Sequence, residues 1–351
     1  MHEKFMFRCL ELAKGGIGLV EPNPYVGCVI VQENQIVSEG FHHRFGGPHA
    51  EVEAIRALPP AINPSHTTLY VNLEPCSHYG KTPPCADLII QKGFKHVVIA
   101  MQDPNPLVGG NGIKKLQDAG IRVEVGICEK EARELNRRFI TFHTQKRPYI
   151  ILKWAQTQDG FIDLERDQLL SRDNFWITTS ITNIITHQWR SQETAIMIGK
   201  NTLLKDNPQL NVRHYHGKNP TRILVSSSHL NLESLTGTFL HQDFSPVLII
   251  NPHVKKIEGH VEWIRVPHDE LFLNNVLKAL YERNILSLIV EGGKQLLETF
   301  LRASMWDEAR VLVGEKNFSR GIKAPILPMA MLEKIETYHK DLLFYYKNFA
   351  V

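Results

Sequence analysis

Two α/β domains in series is the fold class this sequence predicts, and three observations carry that expectation. The chain has 351 residues, more than one ordinary hydrophobic core organises. Short apolar runs of strand length alternate with amphipathic helical segments, the pattern of a sheet covered by helices. The alternation then halts at a polar stretch, HTQKRP at 143–148, and restarts with YIILKWA from Tyr149. The expected domains are residues 1–145 and 149–351, with 143–148 as the linker.

The first domain opens with a helix over 3–14. MHEKFMFRCLELAKGG is amphipathic and lacks the apolar core and small-residue cleavage site of a secretory signal. VGCVIV and QIVSEG then read as a hairpin turning at Glu33 and Asn34, residues that tolerate a left-handed backbone. A helix over 49–58, the strand TTLYVNL, a helix over 86–92 and the strand HVVIAM follow. A helix over 112–119, the strand IRVEVG and one last helix, EKEARELNRRFITF, complete the domain. In the second, YIILKWA precedes a helix over 180–192 and the strands AIMIG, TRILVS, PVLII and VEWIRV. A helix over 273–283, the strand LSLIV, a helix over 294–301 and the strand ARVLVG close it.

Composition excludes several function classes. At 43% hydrophobic and 22% charged, with a formal charge of +3, the chain has the balance of a globular protein. No run of Lys and Arg interleaved with aromatics tracks a nucleic-acid backbone, so no nucleic-acid partner is expected. No apolar run approaches the ~18 residues that span a bilayer, so no membrane partner is expected either. The expected address is the cytoplasm, the expected partner a small molecule, and a homo-oligomer the expected state. Five cysteines are an odd count, which in a reducing compartment suits free thiols or metal ligands better than disulfides. Cys9, Cys28 and Cys128 read as buried small hydrophobes.

Cys76 and Cys85 differ. They flank a polar, glycine-bearing loop in PCSHYGKTPPC, and upstream lies GGPHAEVEAI with His49 and Glu51. Zinc accepts imidazole and thiolate, and a catalytic site uses three protein ligands and leaves the fourth position for water. His49, Cys76 and Cys85 supply that number. Cys85 follows two prolines and opens a helix, whose N-terminus favours the thiolate. A closed structural site would need a fourth ligand from His42, His43, His78 or Cys28. Glu51 turns a metal site into chemistry, since zinc deaminases combine His-x-Glu with Pro-Cys and a second Cys, the Glu shuttling protons. Positions two apart on a helix do not face each other, so spacing alone does not bring Glu51 to the metal.

GGPHAE followed by EPCSHYGKTPPC resembles the deaminase half of the bifunctional riboflavin-biosynthesis family, in which a diaminohydroxyphosphoribosylaminopyrimidine deaminase is fused to a 5-amino-6-(5-phosphoribosylamino)uracil reductase. Most nucleoside and nucleic-acid deaminases place two residues between the cysteines, whereas this chain has eight, an insertion specific to this family. The resemblance implies a cytidine-deaminase-like α/β/α sandwich and release of ammonia by water attack at C2 of a pyrimidinone. It also implies that Asn23, His42, His78, Lys81, Asp103 and Asn105 line the substrate pocket. A ribose phosphate needs a cation such as Lys81. Asp103-Pro104-Asn105-Pro106 would form a turn whatever the function.

KWAQTQDG, FWITTS, MIGKNTLLKDNPQLNVR and IVEGGKQLLETF are similar, in order, to the reductase half, so the likeness covers nearly the whole chain. It implies a dihydrofolate-reductase-like α/β domain that uses NADPH to reduce the ribosyl group of the deaminated product to ribityl. In VEGGKQLL a strand ends at Glu291, two glycines follow, and a helix begins, which lets a backbone approach a pyrophosphate. By the same matching, Gln156, Trp176, Thr202, Asp206, Ser227, Gly293, Lys294, Gln295 and Leu296 line the cofactor site. Asn174, Arg190, Leu210, Arg213 and Glu291 meet the substrate, the two arginines as phosphate clamps. Lys153, a cation on an apolar strand, polarises or protonates the opened sugar, unless it is a snorkelling lysine. The family's usual Asp-Ser after TRILV is Ser226-Ser227 here.

Two other readings compete. A nucleoside or nucleic-acid deaminase with an accessory nucleotide-binding domain is opposed by the long intercysteine loop and the modest charge. A zinc-stabilised binding protein whose second domain only senses a nucleotide predicts a four-ligand metal site.

Overall fold

The chain divides between Lys146 and Arg147 into two units, Met1–Lys146 and Arg147–Val351. The computed structural model describes residues 2–79, 83–106, 108–165, 176–228, 230, 235, 237–239, 245–328 and 330–349. At the division Lys146 leaves the last helix of the first unit in the left-handed conformation, with φ 55°.

The first unit comprises α1 (His2–Ala13), β1 (Gly27–Gln32), β2 (Gln35–Phe41), α2 (Ala50–Arg56), β3 (Thr68–Val71), α3 (Cys85–Gln91), β4 (His96–Ile99), α4 (Asn111–Asp118), β5 (Arg122–Val125), α5 (Glu129–Leu135) and α6 (Arg137–Gln145). Its sheet has the order β2-β1-β3-β4-β5, with β1 antiparallel to both neighbours and β3, β4 and β5 parallel. The β1–β2 turn takes positive φ at Glu33 and Asn34, as a two-residue hairpin requires. Alternate strand residues serve opposite faces. Ile30, Leu69, Val71, Val97 and Ile99 pack with residues of α2, α3 and α4, while Val29, Val31, Tyr70 and Val98 pack with Phe5, Met6 and Leu10 of α1. Gly40 lets α2 lie close on β2, since a Cβ there would meet the Ala54 nitrogen at 2.5 Å. That contact sets the height of the helix that carries Glu51.

Three expectations need correction here. The last segment is two helices rather than one, and its second helix continues through Gln145, across residues expected to be linker. The break falls at Asn136, a buried residue that answers the backbone of Tyr25: Tyr25 N–H donates to Asn136 Oδ1 (2.8 Å) and Asn136 Nδ2 donates to the Tyr25 carbonyl (3.0 Å). Asn72 Nδ2 donates to the same carbonyl at 2.9 Å. Satisfying buried backbone groups outweighs one uninterrupted helix. Cys9 and Cys28 are buried as expected, but Cys128 is half-buried and holds φ 58° at the start of α5.

The second unit comprises β6 (Tyr149–Thr157), β7 (Phe161–Asp163), α7 (Ser180–Gln192), β8 (Ala195–Gly199), α8 (Lys200–Asp206), β9 (Thr221–Val225), β10 (Val247–Asn251), β11 (Lys256–Glu258), β12 (Val261–Arg265), α9 (Phe272–Tyr281), β13 (Ser287–Val290), α10 (Lys294–Arg302), β14 (Glu308–Gly314), β15 (Ile322–Lys323), β16 (Ala330–Tyr338) and β17 (Asp341–Asn348). The main sheet has the order β11-β12-β10-β9-β8-β13-β6-β14-β17-β16. From β12 to β14 the strands run parallel, and β11, β17 and β16 pair antiparallel at the two ends. Both faces of the parallel strands are covered, which explains their nearly continuous apolar runs. In such sheets ligands bind outside the carboxyl ends of the strands. Lys153 of β6, Gly199 of β8, Ser226 after β9 and Glu291 after β13 all line a cleft there.

Candidate active sites

In the first unit the motif residues converge. His49 immediately precedes α2, Cys76 lies in the loop after β3, and Cys85 is the first residue of α3. His49 Nδ1 lies 3.6 Å from Cys76 Sγ and 3.3 Å from Cys85 Sγ, and the three donor atoms fall within 4.8 Å of one another. Zinc bonds of about 2.3 Å to sulfur and 2.0 Å to nitrogen, set tetrahedrally, put such donors about 3.6 Å apart. The donor set therefore fits zinc in both chemistry and spacing. The Cys85 backbone N–H, at the start of α3, donates to Cys76 Sγ at 3.3 Å. The neighbouring Cys85 is the largest influence on Cys76 and holds its pKa well below the ordinary thiol range, while Cys76 in turn raises that of Cys85. His49 rises to about 9, chiefly through its contact with Cys76.

Glu51 is only 3% exposed, and Cys85 and Cys76 are near enough to influence its carboxyl. Burial pushes it up to about 7, with the nearby Cys76 adding to the rise. A buried carboxyl beside the donor cluster is poised to give or take a proton. Helix periodicity alone did not guarantee this; it follows because His49 sits before the first turn of α2, in extended conformation (φ −73°, ψ 161°).

Asn23 and His42 form a pair beside this cluster. His42 Nδ1 donates to the Pro48 carbonyl at 2.8 Å, so its Nε2 accepts from Asn23 Nδ2 at 3.0 Å. Burial lowers the His42 pKa and so favours this neutral form. The His42 ring lies 5.6 Å from that of His49. Asp103 forms the expected turn, accepting from Asn105 N–H at 2.8 Å. Burial raises its pKa, and Cys76 and exposed His78 are near enough to influence it. Lys81 lies outside the described residues. Glu74, directly before Pro75-Cys76, escaped the sequence reading, although its place beside a metal ligand was a signal.

The cleft of the second unit encloses about 1390 Å³. That exceeds the roughly 300–1,000 Å³ of a pocket for one drug-sized ligand, as a dinucleotide plus a substrate requires. Trp176, Thr202, Asp206, Ser227, Gly293, Lys294, Gln295 and Leu296 line it, as do Lys153, Arg190, Leu210, Arg213 and Glu291. Gln156 is absent from the lining and instead accepts from Trp154 Nε1 at 2.8 Å. Asn174 lies outside the described residues. The glycines form a cradle: a Cβ on Gly292 would meet Ile198 Cγ2 at 2.9 Å, and Gly293 holds φ +66° where α10 begins. The backbone N–H groups of that helix start suit a pyrophosphate, so this loop fits NADPH.

Beside the loop, Arg190 grips Glu291 with both tines, Nε to Oε1 at 2.8 Å and Nη2 to Oε2 at 2.7 Å, while Nη1 donates to the Asn211 carbonyl. Lys153 Nζ lies 3.6 Å from Glu291 Oε2. Although burial opposes it, the charges of Arg190 and Lys153 hold Glu291 down at about 2, while burial lowers Lys153. Arg190, expected as a phosphate clamp, thus has its fork on a carboxylate. Arg213 is exposed at the cleft, with Nη1 on Asn211 Oδ1 and its backbone N–H on His187 Nδ1 at 3.0 Å. The loop bearing these groups turns through Leu210, buried at φ 52°, a backbone strain of about 1–3 kcal/mol of the kind that collects at ligand sites.

A hydrolytic zinc deaminase in one unit and a nucleotide-dependent reductase in the other is the class of enzyme these sites define. Known proteins bear this out. Residues 1–101 match the cytidine and deoxycytidylate deaminase zinc-binding region, and residues 148–317 match the RibD C-terminal domain. The riboflavin biosynthesis protein RibD of Aquifex aeolicus is 39% identical, over 99% of this chain and 98% of that protein. That of Escherichia coli is 36% identical over 90% and 88%. The crystal structure of a diaminohydroxyphosphoribosylaminopyrimidine deaminase/5-amino-6-(5-phosphoribosylamino)uracil reductase from Thermotoga maritima superposes with TM-score 0.87 at 36% identity, covering 99% of this chain and 98% of that one. The chain belongs to the RibD family: it is a bifunctional deaminase and reductase of riboflavin biosynthesis, using zinc and NADPH.

Proposed function

We propose that the first unit deaminates 2,5-diamino-6-ribosylamino-4(3H)-pyrimidinone 5′-phosphate and that the second reduces the ribosyl group of the product to ribityl. The observation that carries the first half is the convergence of His49, Cys76 and Cys85 beside buried Glu51. Those three would hold the zinc ion, which when bound supplies a water activated near neutral pH. Glu51 takes a proton from the attacking water and delivers it to the leaving amine, so that ammonia departs. Asn23 and His42 orient the pyrimidine, and Asp103, Asn105 and His78 complete its pocket with Lys81. In the second unit the Gly292–Gly293 loop and the start of α10 bind the pyrophosphate of NADPH, Trp176, Thr202, Asp206 and Ser227 the remainder. Arg213 meets the substrate phosphate, Arg190 and Glu291 fix the sugar, and Lys153 gives a proton to it as hydride arrives.

Replacing Cys76 by alanine tests the division of labour. Zinc content should fall from about one per chain to near zero and ammonia release should stop, while NADPH oxidation with the already deaminated intermediate should persist. Ammonia released at the wild-type rate would end the metal assignment.

We infer further that the chain self-associates through its C-terminal hairpin. Leu332 (46% exposed), Ile335 (50%) and Leu342 (39%) share one face of β16 and β17, and β16 has no second strand partner among the described residues. Exposed apolar faces on edge strands favour a partner. Ile335→Glu is expected to shift the mass measured by light scattering towards the monomer; an unchanged mass would exclude this face. Two ligand thiols that must stay reduced favour the cytoplasm, and the modest charge gives nucleic acid no footing.

A further inference from the structure

We propose that Glu74 is a positioning residue for deamination: its carboxylate sets the substrate loop against the strand that leads to the zinc ligand Cys76. Glu74 is buried in the segment between β3 and Cys76, and its two oxygens accept four backbone N–H groups from the loop before α4 and the first turn of that helix. Oε2 takes those of Asp103 (3.0 Å) and Gly110 (2.9 Å), and Oε1 those of Gly112 (2.8 Å) and Ile113 (3.1 Å). The Glu74 N–H in turn donates to the Met101 carbonyl at 3.0 Å.

The loop is therefore held at both ends by one side chain. Its far end is the start of α4, where the capping position is Gly110, a residue with no side chain to accept the helix's first N–H groups. Glu74 supplies those acceptors from another element. Its near end is Asp103, which with Asn105 forms the tight turn described above. Between the two, the approach is close: a Cβ on Gly112 would meet the Pro75 carbonyl oxygen at 2.1 Å. The residue before the metal ligand thus fixes where the turn can stand. A carboxylate, with about four acceptor sites and no donor, matches this arrangement, whereas the NH2 group of an amide would face two N–H donors.

This inference rests on the assignment of Asp103 and Asn105 to the substrate pocket, and the test separates the two. In full-length Glu74→Gln, KM for the diaminopyrimidine should rise about tenfold or more with kcat within about threefold, the signature of lost binding rather than lost chemistry. Zinc content and NADPH oxidation with the deaminated intermediate should stay at wild-type levels, and amide exchange in residues 102–114 should accelerate. Gly112→Ala, which leaves the carboxylate intact and pushes the loop from the strand, should reproduce the KM effect and carries the test if Glu74→Gln does not fold. Unchanged KM and exchange in these variants, with KM raised in Asp103→Asn, would overturn the clamp and leave the pocket standing. Faster exchange with wild-type KM in all three variants would overturn both. Loss of zinc with collapse of kcat in Glu74→Gln would show that Glu74 serves the ligands instead, and would also overturn the proposal.

Discussion

Glu51→Gln should lower deamination about ten-thousandfold, the upper range for a positioned acid–base group, because one carboxyl serves both proton transfers. The substitution keeps the shape of a side chain packed at 3% exposure and removes only its ability to exchange a proton. Zinc content should therefore match wild type, and so should NADPH oxidation when the deaminated intermediate is supplied. Ammonia release within tenfold of wild type would show that another group carries the protons. Loss of zinc would show instead that Glu51 supports the ligand set, which its closeness to Cys76 and Cys85 makes the competing explanation.

The second large effect is expected from Glu291→Gln. The wild-type carboxylate compensates the partly buried cations Arg190 and Lys153, and leaving buried charges unpaired costs about 3–5 kcal/mol. Reductase activity should be lost, and the melting transition of the second unit should fall by about 10 °C. The pH dependence has a definite sign. The folded-state pKa of Glu291, about 2, lies below its unfolded value, so the ionised carboxylate adds stability above the ordinary range of about 4.3. That contribution is lost as pH falls through about 2. The stability gap between wild type and Glu291→Gln, followed by denaturant titration, should thus narrow steadily below about pH 4.3. A gap independent of pH would mean that the ion pairs contribute nothing through charge.

The zinc ligands were legible because their chemistry is local: Cys76 and Cys85 bracket one loop and His49 opens one helix, so residue type and spacing pointed to them. The approach of Glu51 depends instead on the extended backbone of His49 before α2. The strands of both units could be read from their apolar runs, since burial on one or both faces writes itself directly into hydrophobicity. What could not be read were features made by distant partners. Asn136 breaks a helix because Tyr25 needs its amide, a contact across more than a hundred positions. Arg190 reads from its residue type as a phosphate ligand, whereas its fork holds Glu291, 101 positions away. The β16–β17 hairpin turns at His339, in positive φ without glycine or asparagine, and its outer strand is largely exposed, so neither turn chemistry nor burial announced it. The short strands β7, β11 and β15 carried too few residues for any periodicity.

Asn136 also decides where the first half can be cut free. The zinc-binding-region match spans residues 1–101 and stops well before the amide that holds Tyr25, two residues from Asn23. A fragment trimmed to the motifs would leave the buried Tyr25 N–H without its acceptor, although Asn72 would still answer the Tyr25 carbonyl. A first half cut free is therefore expected to need its last two helices, up to the division at Lys146.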